Sequence, residues 1–129
     1  MKKIEVKVLD YKVFPSDEKS IAVIDDELYH GAHTYYTRLS KGYENGKAQY
    51  VKDSIELQFV QKNDDGTIIP GLQNEQLAYI LLDRTKKLNA RFPSKYNEKM
   101  IKGLEMFLEA CKERVEDRIN RGVMGKLKK

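Results

Sequence analysis

Over the first seventy residues, apolar positions tend to recur at every second residue. After Asn74 they recur at every third or fourth. Ile4, Val6 and Val8 alternate with Glu5 and Lys7, the spacing of a strand with one buried face. "SIAVID" (residues 20–25) gives a second short apolar run, and "HTYYTRL" (33–39) is rich in Tyr and Thr, which suit a pleated surface. Asn45-Gly46 is a strong hairpin-turn signal. "SIELQFV" (54–60) then alternates Ile55, Leu57 and Phe59. "NDDGT" (63–67) is a further turn, and "TIIPG" (67–71) is a short strand stopped by Pro70 and Gly71. The pattern predicts a small antiparallel sheet of about four to six strands.

From Asn74 the spacing becomes helical. Asn74 is the expected cap, with an acidic first turn behind it. Leu77, Ala78, Leu81, Leu82 and Leu88 form the apolar stripe. Pro93 stops this helix, and Ser94 can cap a second one from about Lys95 to about Asn120. The link "RFPS" is short, so the two helices are expected to fold back as an antiparallel hairpin. Gly122 and Gly125 end the helical signal. The predicted class is α+β. A small antiparallel sheet over residues 1–72 precedes a helical hairpin with a basic tail over 73–129, the two forming one compact unit.

The second helix carries a heptad seam. Ile101, Leu104, Leu108, Cys111 and Val115 are spaced three and four apart, and the stripe extends to Asn97 at one end and Arg118 at the other. Arg114 lies one turn before Arg118, and Phe107 widens the apolar face. Asn97 and Arg118 are about 30 Å apart along such a helix. A small ligand cannot reach both in one chain. It can if a second copy packs antiparallel, which brings Asn97 of one chain toward Arg114 and Arg118 of the other. The stripe therefore points to a symmetric dimer with two equivalent pockets. A simpler reading is a packing seam with solvated arginine heads at its end.

Composition narrows the class. With 129 residues, 40% hydrophobic and 34% charged, the chain suits one soluble domain. No apolar run nears the ~20 residues of a membrane span, and "MKKIEVKVLD" lacks the apolar core of a signal peptide. A single cysteine, Cys111, permits no internal disulfide, and two histidines with it make a poor zinc set. Charge adds more. Residues 112–129 hold seven Lys/Arg and three Asp/Glu, which accounts for the whole net charge of +4. A terminal cluster of this kind attracts phosphates, whether of a nucleotide, a nucleic acid or a membrane surface. Guanidinium forks pair with phosphate oxygens, and an Asn amide suits a base or ribose edge. Such a set holds a nucleotide without supplying a group to break it.

Other candidate chemistry is better read as structure. His30 and His33 lack a third ligand. Asp25-Asp26 suits a turn, and Cys111 lies on the apolar seam, where an inert thiol is expected. Tyr29, Tyr35, Tyr36, Tyr43 and Tyr50, near Arg38, Lys41 and Lys47, could stack nucleic-acid bases but are ordinary strand residues. No catalytic residue, metal ligand or cofactor is assigned.

The stretch "NEQLAYILLDRTKKLNARFPSKYNEKMIKGLEMFLEACKERVEDRINRGVMG" (74–125) resembles the helical hairpin of the phage Thoeris anti-defence type-one family, shared with the type-two anti-CBASS sponges. The matching positions are Asn74-Glu75, Asp83-Arg84, Phe92, Asn97, Leu104-Glu105, Arg114, Asp117-Arg118 and Arg121-Gly122-Val123 with Gly125. "HGAHTYY" and "IELQFVQK" resemble the family's sheet, so the likeness runs over about residues 30–125. The first thirty residues match nothing nameable. Two departures stand out. The usual Arg-Glu before the Asn is Lys95-Tyr96, and Leu88 stands near where the family has a base-stacking aromatic, so stacking passes to Tyr96 or Phe92.

The resemblance implies a phage protein in the host bacterial cytoplasm. It implies binding of cyclic ADP-ribose isomers of Thoeris signalling, notably gcADPR, without cleavage. It implies a homodimer or hexamer, and in some members a separate site for cyclic di- or trinucleotides. By the same resemblance Asn97 contacts base or ribose, Arg114 and Arg118 grip the diphosphate, Leu88 lines the base slot, and Phe92 and Arg121 complete the ligand-binding set. A small phage nucleic-acid-binding or cyclic-oligonucleotide-binding protein is the alternative.

Overall fold

The computed structural model describes residues 4–10, 19–26 and 31–122. The class is α+β: a four-stranded antiparallel sheet followed by two helices. Strands β1 (Ile4–Val8), β2 (Ile21–Asp26), β3 (Thr34–Glu44) and β4 (Lys47–Gln58) pair in chain order. A two-stranded ladder of β5 (Gln61–Lys62) and β6 (Ile68–Ile69) leads to α1 (Asn74–Arg91) and α2 (Lys95–Asn120). The chain divides into two compact units, residues 1–61 with 68–71 and residues 62–67 with 72–129.

In the sheet, Lys7, Val23, Tyr35 and Leu57 are successive cross-strand partners on one face, and Val6, Ile24, Thr34 and Gln58 on the other. Val23 is buried, and the Tyr35 and Phe59 rings meet edge-on at 5.7 Å. The β3–β4 turn has positive φ at Asn45 (54°) and Gly46 (77°), the pair a primed hairpin turn requires. The β3–β4 register shifts between Arg38 and Gly42. Beyond the irregularity Ala48 and Tyr50 are buried, with the Arg38 guanidinium 4.9 Å over the Tyr50 ring. The alternation in β1 led us to expect a covered apolar stripe. The strand forms, but Ile4, Val6 and Val8 are 60–67% exposed, so its apolar side is uncovered among the described residues.

Gly71 explains how the chain leaves the sheet. A Cβ there would lie 2.5 Å from the Gln58 carbonyl oxygen and 2.7 Å from the Val60 nitrogen, closer than any side chain allows. Only glycine lets the two backbones pass.

The cap of α1 is Gln73, one residue before the expected Asn74. Its backbone N–H donates to Gln76 Oε1 at 2.8 Å in a capping box, and Asn74 becomes the first helical residue. For α2 the expected cap holds: Ser94 Oγ accepts the Asn97 N–H at 3.0 Å. Gly122, with φ of 70°, sits just past the end of α2 and donates to the Ile119 carbonyl at 3.0 Å. Gly125 lies outside the described residues.

Candidate functional site

The hairpin is built on two matched seams. On α2 the least exposed positions are Asn97, Ile101, Leu104, Leu108, Cys111, Val115 and Arg118, the stripe read from the sequence. On α1 they are Glu75, Leu77, Ala78, Leu82, Thr85 and Asn89. The two helices pack against each other along these stripes. This corrects one expectation. The α2 seam from Asn97 to Cys111 is taken up inside the chain by α1, so it is not the surface a second copy would use. The expected hairpin already pairs the two stripes, which leaves none of the α2 seam from Asn97 to Cys111 for a second copy.

The helices differ in length. The 18 residues of α1 rise about 27 Å and the 26 of α2 about 39 Å, so α2 outruns its partner by roughly two turns. Arg114, Arg118 and Arg121 lie at this far end, and Leu88, Phe92 and Asn97 at the turn end. Because α2 is one uninterrupted helix, Asn97 and Arg118 are about 30 Å apart. One protomer therefore does not assemble the six candidates into one pocket.

At the turn end, the Asn97 Nδ2 donates to the Phe92 carbonyl at 3.1 Å, and the Ser94 N–H donates to Asn89 Oδ1 at 3.1 Å. Asn97 thus has a structural task that the sequence reading missed. Phe92 is 63% exposed and Tyr96 66%, and each ring has a cation over it. Arg91 lies 5.0 Å from the Phe92 centroid and Lys95 Nζ 5.2 Å from that of Tyr96. Each ring is exposed to solvent but already has a cation over one face. Leu88 is 42% exposed on the same end.

At the far end, Arg121 Nε donates to Asp117 Oδ2 at 3.0 Å, which partly satisfies its charge. Arg118 is half-buried on the seam, and Arg114 is exposed with no ion pair among the described residues. Of these three, Arg114 is therefore the arginine most ready to meet an anion. Val123 to Lys129, including the tail lysines, lie outside the described residues.

The hairpin has two unlike broad sides. In an antiparallel helix pair, residues just after each seam position share one side and those just before it share the other. The first side holds Glu98, Lys102, Glu105, Glu109, Lys112 and Glu116 of α2 with Asp83 and Lys86 of α1. Lys86 and Glu105 pair across it at 3.9 Å. A shallow groove lined by Glu98, Lys99, Lys102 and Glu105 runs there. Its charges are mixed in sign, and it contains none of the six candidates. The second side holds Tyr96, Met100, Gly103, Phe107, Ala110 and Arg114 of α2 beside Leu77, Leu81, Arg84 and Leu88 of α1. Of this side the sequence reading had only Phe107, as a widening of the α2 apolar face.

In the sheet, most of the tyrosines considered for base stacking are occupied. Tyr36 donates to Glu56 Oε1 at 2.8 Å, which raises its phenol pKa above the usual value. Tyr35 meets Phe59, and Tyr50 is buried under Arg38, while Tyr43 is exposed. Tyr29 and His30 lie outside the described residues. His33 Nδ1 lies 3.2 Å from the Gly31 carbonyl. Lys7 pairs with Asp25, whose hydrogen bond raises the lysine pKa. Among the described residues no three His, Cys, Asp or Glu side chains gather as metal ligands, and Cys111 is a buried free thiol. No helix among them is long and apolar enough to cross a membrane.

A scan against protein-family models and a search of curated proteins both find no match to this chain.

Proposed function

We propose that this chain is a phage anti-defence protein that sequesters cyclic ADP-ribose signals of the Thoeris type, gcADPR among them, in the host bacterial cytoplasm. It holds the ligand without cleaving it, so the signal never reaches its effector. Functional ligand sites form in a homodimer, or in a hexamer built from it. The observation that most supports this reading is the separation along α2. The exposed Arg114 and the amide of Asn97, beside the exposed Phe92 and Tyr96 rings, stand at opposite ends of one helix. Because the α2 seam is taken by α1, a second copy running antiparallel would have to bring them together from another side of the hairpin. Arg114 and Arg118 then face the diphosphate, Arg121 supports them, and Asn97 meets a base or ribose edge. Phe92, Tyr96 and Leu88 offer the base a surface.

Calorimetry with gcADPR tests the reading, followed by heat release and mass spectrometry of the ligand. Binding with unchanged ligand is expected, as is its loss in an Arg114→Ala/Arg118→Ala double variant. Absence of binding, or recovery of hydrolysed product, overturns it. Cyclic di- and trinucleotides belong in the same titration as candidates for a separate site. The second reading, a small nucleic-acid-binding protein, rests on the charge excess over residues 112–129. It predicts retention of DNA or RNA that falls steeply with salt, and stronger effects at Lys126, Lys128 and Lys129 than at Arg114 or Arg118.

A further inference from the structure

The turn end of the hairpin repeats one kind of dipeptide. Lys87-Leu88, Arg91-Phe92, Lys95-Tyr96 and Lys99-Met100 follow one another at four-residue spacing, a cation and then an apolar residue each time. Four residues are close to one helical turn, about 6 Å of rise, so each kind forms a row. The rows run along the end of α1, through the link and along the start of α2. Leu88, Tyr96 and Met100 lie on the apolar broad side with Phe92 at the link between them, and all four are 42–66% exposed. The exposed cations flank that row along the outer edges of the two helices.

Charge at this end is far from balanced. Residues 84–102 hold seven Lys/Arg and one acidic residue, Glu98, a net +6 that the acidic remainder of residues 1–111 hides in the sum. Lys86 and Lys87 pair with Glu105 and Asp83. Arg84, Arg91, Lys95, Lys99 and Lys102 have no ion pair among the described residues. Two of them lie over rings instead, Arg91 over Phe92 at 5.0 Å and Lys95 over Tyr96 at 5.2 Å.

Unneutralised cations attract an anion, and their interleaving with exposed rings narrows which one. A single strand of nucleic acid complements both rows, its bases having π faces for the rings and its phosphates charge for the cations. A duplex keeps its bases stacked inside and offers only phosphates. An anionic membrane would draw in the apolar row, but Arg91 and Lys95 lie against the two rings and would have to enter the hydrocarbon with them, which is costly.

We propose that the turn end of the hairpin is a binding platform for single-stranded nucleic acid. Bases stack on the free faces of Phe92 and Tyr96, and phosphates lie along Arg91, Lys95 and Lys99. The platform is at the opposite end of α2 from Arg114 and Arg118 and uses no tail lysine. It therefore differs from the nucleic-acid reading above in place and in chemistry, since it adds stacking to charge. It rests on no part of the ligand reading, although the two share Phe92 and Tyr96.

Fluorescence anisotropy of labelled oligothymidylate with the full chain tests it. Binding is expected, and log K is expected to fall with log salt by roughly 0.7 for each phosphate held. Lys95→Glu/Lys99→Glu is expected to weaken binding about tenfold or more at low salt. Both positions are exposed, and glutamate at the start of α2 suits the helix dipole, so helical circular dichroism is expected to persist. Phe92→Leu/Tyr96→Leu keeps the row apolar but removes the rings, and about a tenfold loss that persists at high salt is expected. Lys126→Ala/Lys128→Ala/Lys129→Ala is expected to matter less than either pair. Duplex DNA and phosphatidylserine vesicles are expected to bind more weakly than the single strand. No oligothymidylate binding, equal binding of the duplex, binding of vesicles alone, loss through the tail variant alone, or a leucine pair that binds like the parent would each overturn the proposal. Calorimetry with gcADPR on Lys95→Glu/Lys99→Glu separates the two readings. Ligand binding is expected to survive there while oligothymidylate binding is lost, and joint loss would overturn the platform as a separate site.

Discussion

The side-chain amide of Asn97 donates to the backbone carbonyl of Phe92 at 3.1 Å, while its backbone N–H is held by Ser94 Oγ. The first turn of α2 is thereby tied to the residue that closes α1. Asn97→Ala is expected to destabilise the hairpin by about 0.5–1.5 kcal/mol, the net worth of an ordinary hydrogen bond. Ser94→Ala is expected to cost about 1 kcal/mol through the lost cap. Denaturant unfolding measures both. Any loss of ligand binding in Asn97→Ala must exceed that of Ser94→Ala before it speaks for direct contact.

Gly71 passes against the Gln58–Val60 backbone with no room for a Cβ. Gly71→Ala must push one strand away or strain both, and the expected loss is about 1–3 kcal/mol. Thermal unfolding reads it directly. Gly66→Ala is a useful contrast. Its Cβ meets nothing, but its φ of 90° makes the change costly through backbone strain.

The Tyr50 hydroxyl is buried with no hydrogen-bond partner among the described residues. Tyr50→Phe removes a desolvated polar group while keeping the ring under Arg38. Stability is expected to be unchanged or to rise by up to about 1–3 kcal/mol. A fall in melting temperature would mean that the hydroxyl has found a partner in solution.

The turn between β5 and β6 has its own pH response. Asp65 Oδ1 accepts from the Thr67 hydroxyl at 2.6 Å and from the Thr67 N–H at 2.9 Å. These bonds, the hydroxyl's first, hold the carboxyl below its usual pKa. A lowered folded pKa contributes stability above the unfolded value, and that stability is lost as pH falls through the folded one. The turn should loosen only on the acid side. In Thr67→Val the Asp65 carboxyl resonance is expected to titrate at higher pH, moving toward the ordinary carboxylate value.

The sequence made the elements legible because each rests on local chemistry. Asn45-Gly46 set the long hairpin, Ser94 started α2, and Gly122 ended it, since a left-handed turn or a side-chain cap is a one-residue decision. The cap of α1 was misplaced by one residue because Gln73 and Asn74 can both cap, and only the reciprocal bond from Gln76 chooses between them. The candidate site was less legible. Heptad spacing identified which α2 residues share a stripe, and the short link with a second stripe on α1 already named the surface that meets it, a consequence the dimer reading passed over. Hence Asn97 and Arg118 were read as facing a twin when the stripe they bound belongs largely to α1. The two departures near Leu88 and Tyr96 were visible as letters, whereas the exposed rings and their stacked cations needed coordinates.

Strand β1 forms the rim of the sheet, and three aliphatic side chains stand out from it. A rim of that kind can template the backbone of another molecule, which is how edge-to-edge polymerisation begins. Glu5 and Lys7 interrupt the run at alternate positions, on the opposite face, where a stacking strand would have to place its own charges in register. Lys7 is already paired with Asp25 inside the sheet, so a strand added at this rim would have to fit beside an existing ion pair, and salt that screens the pair weakens that obstacle.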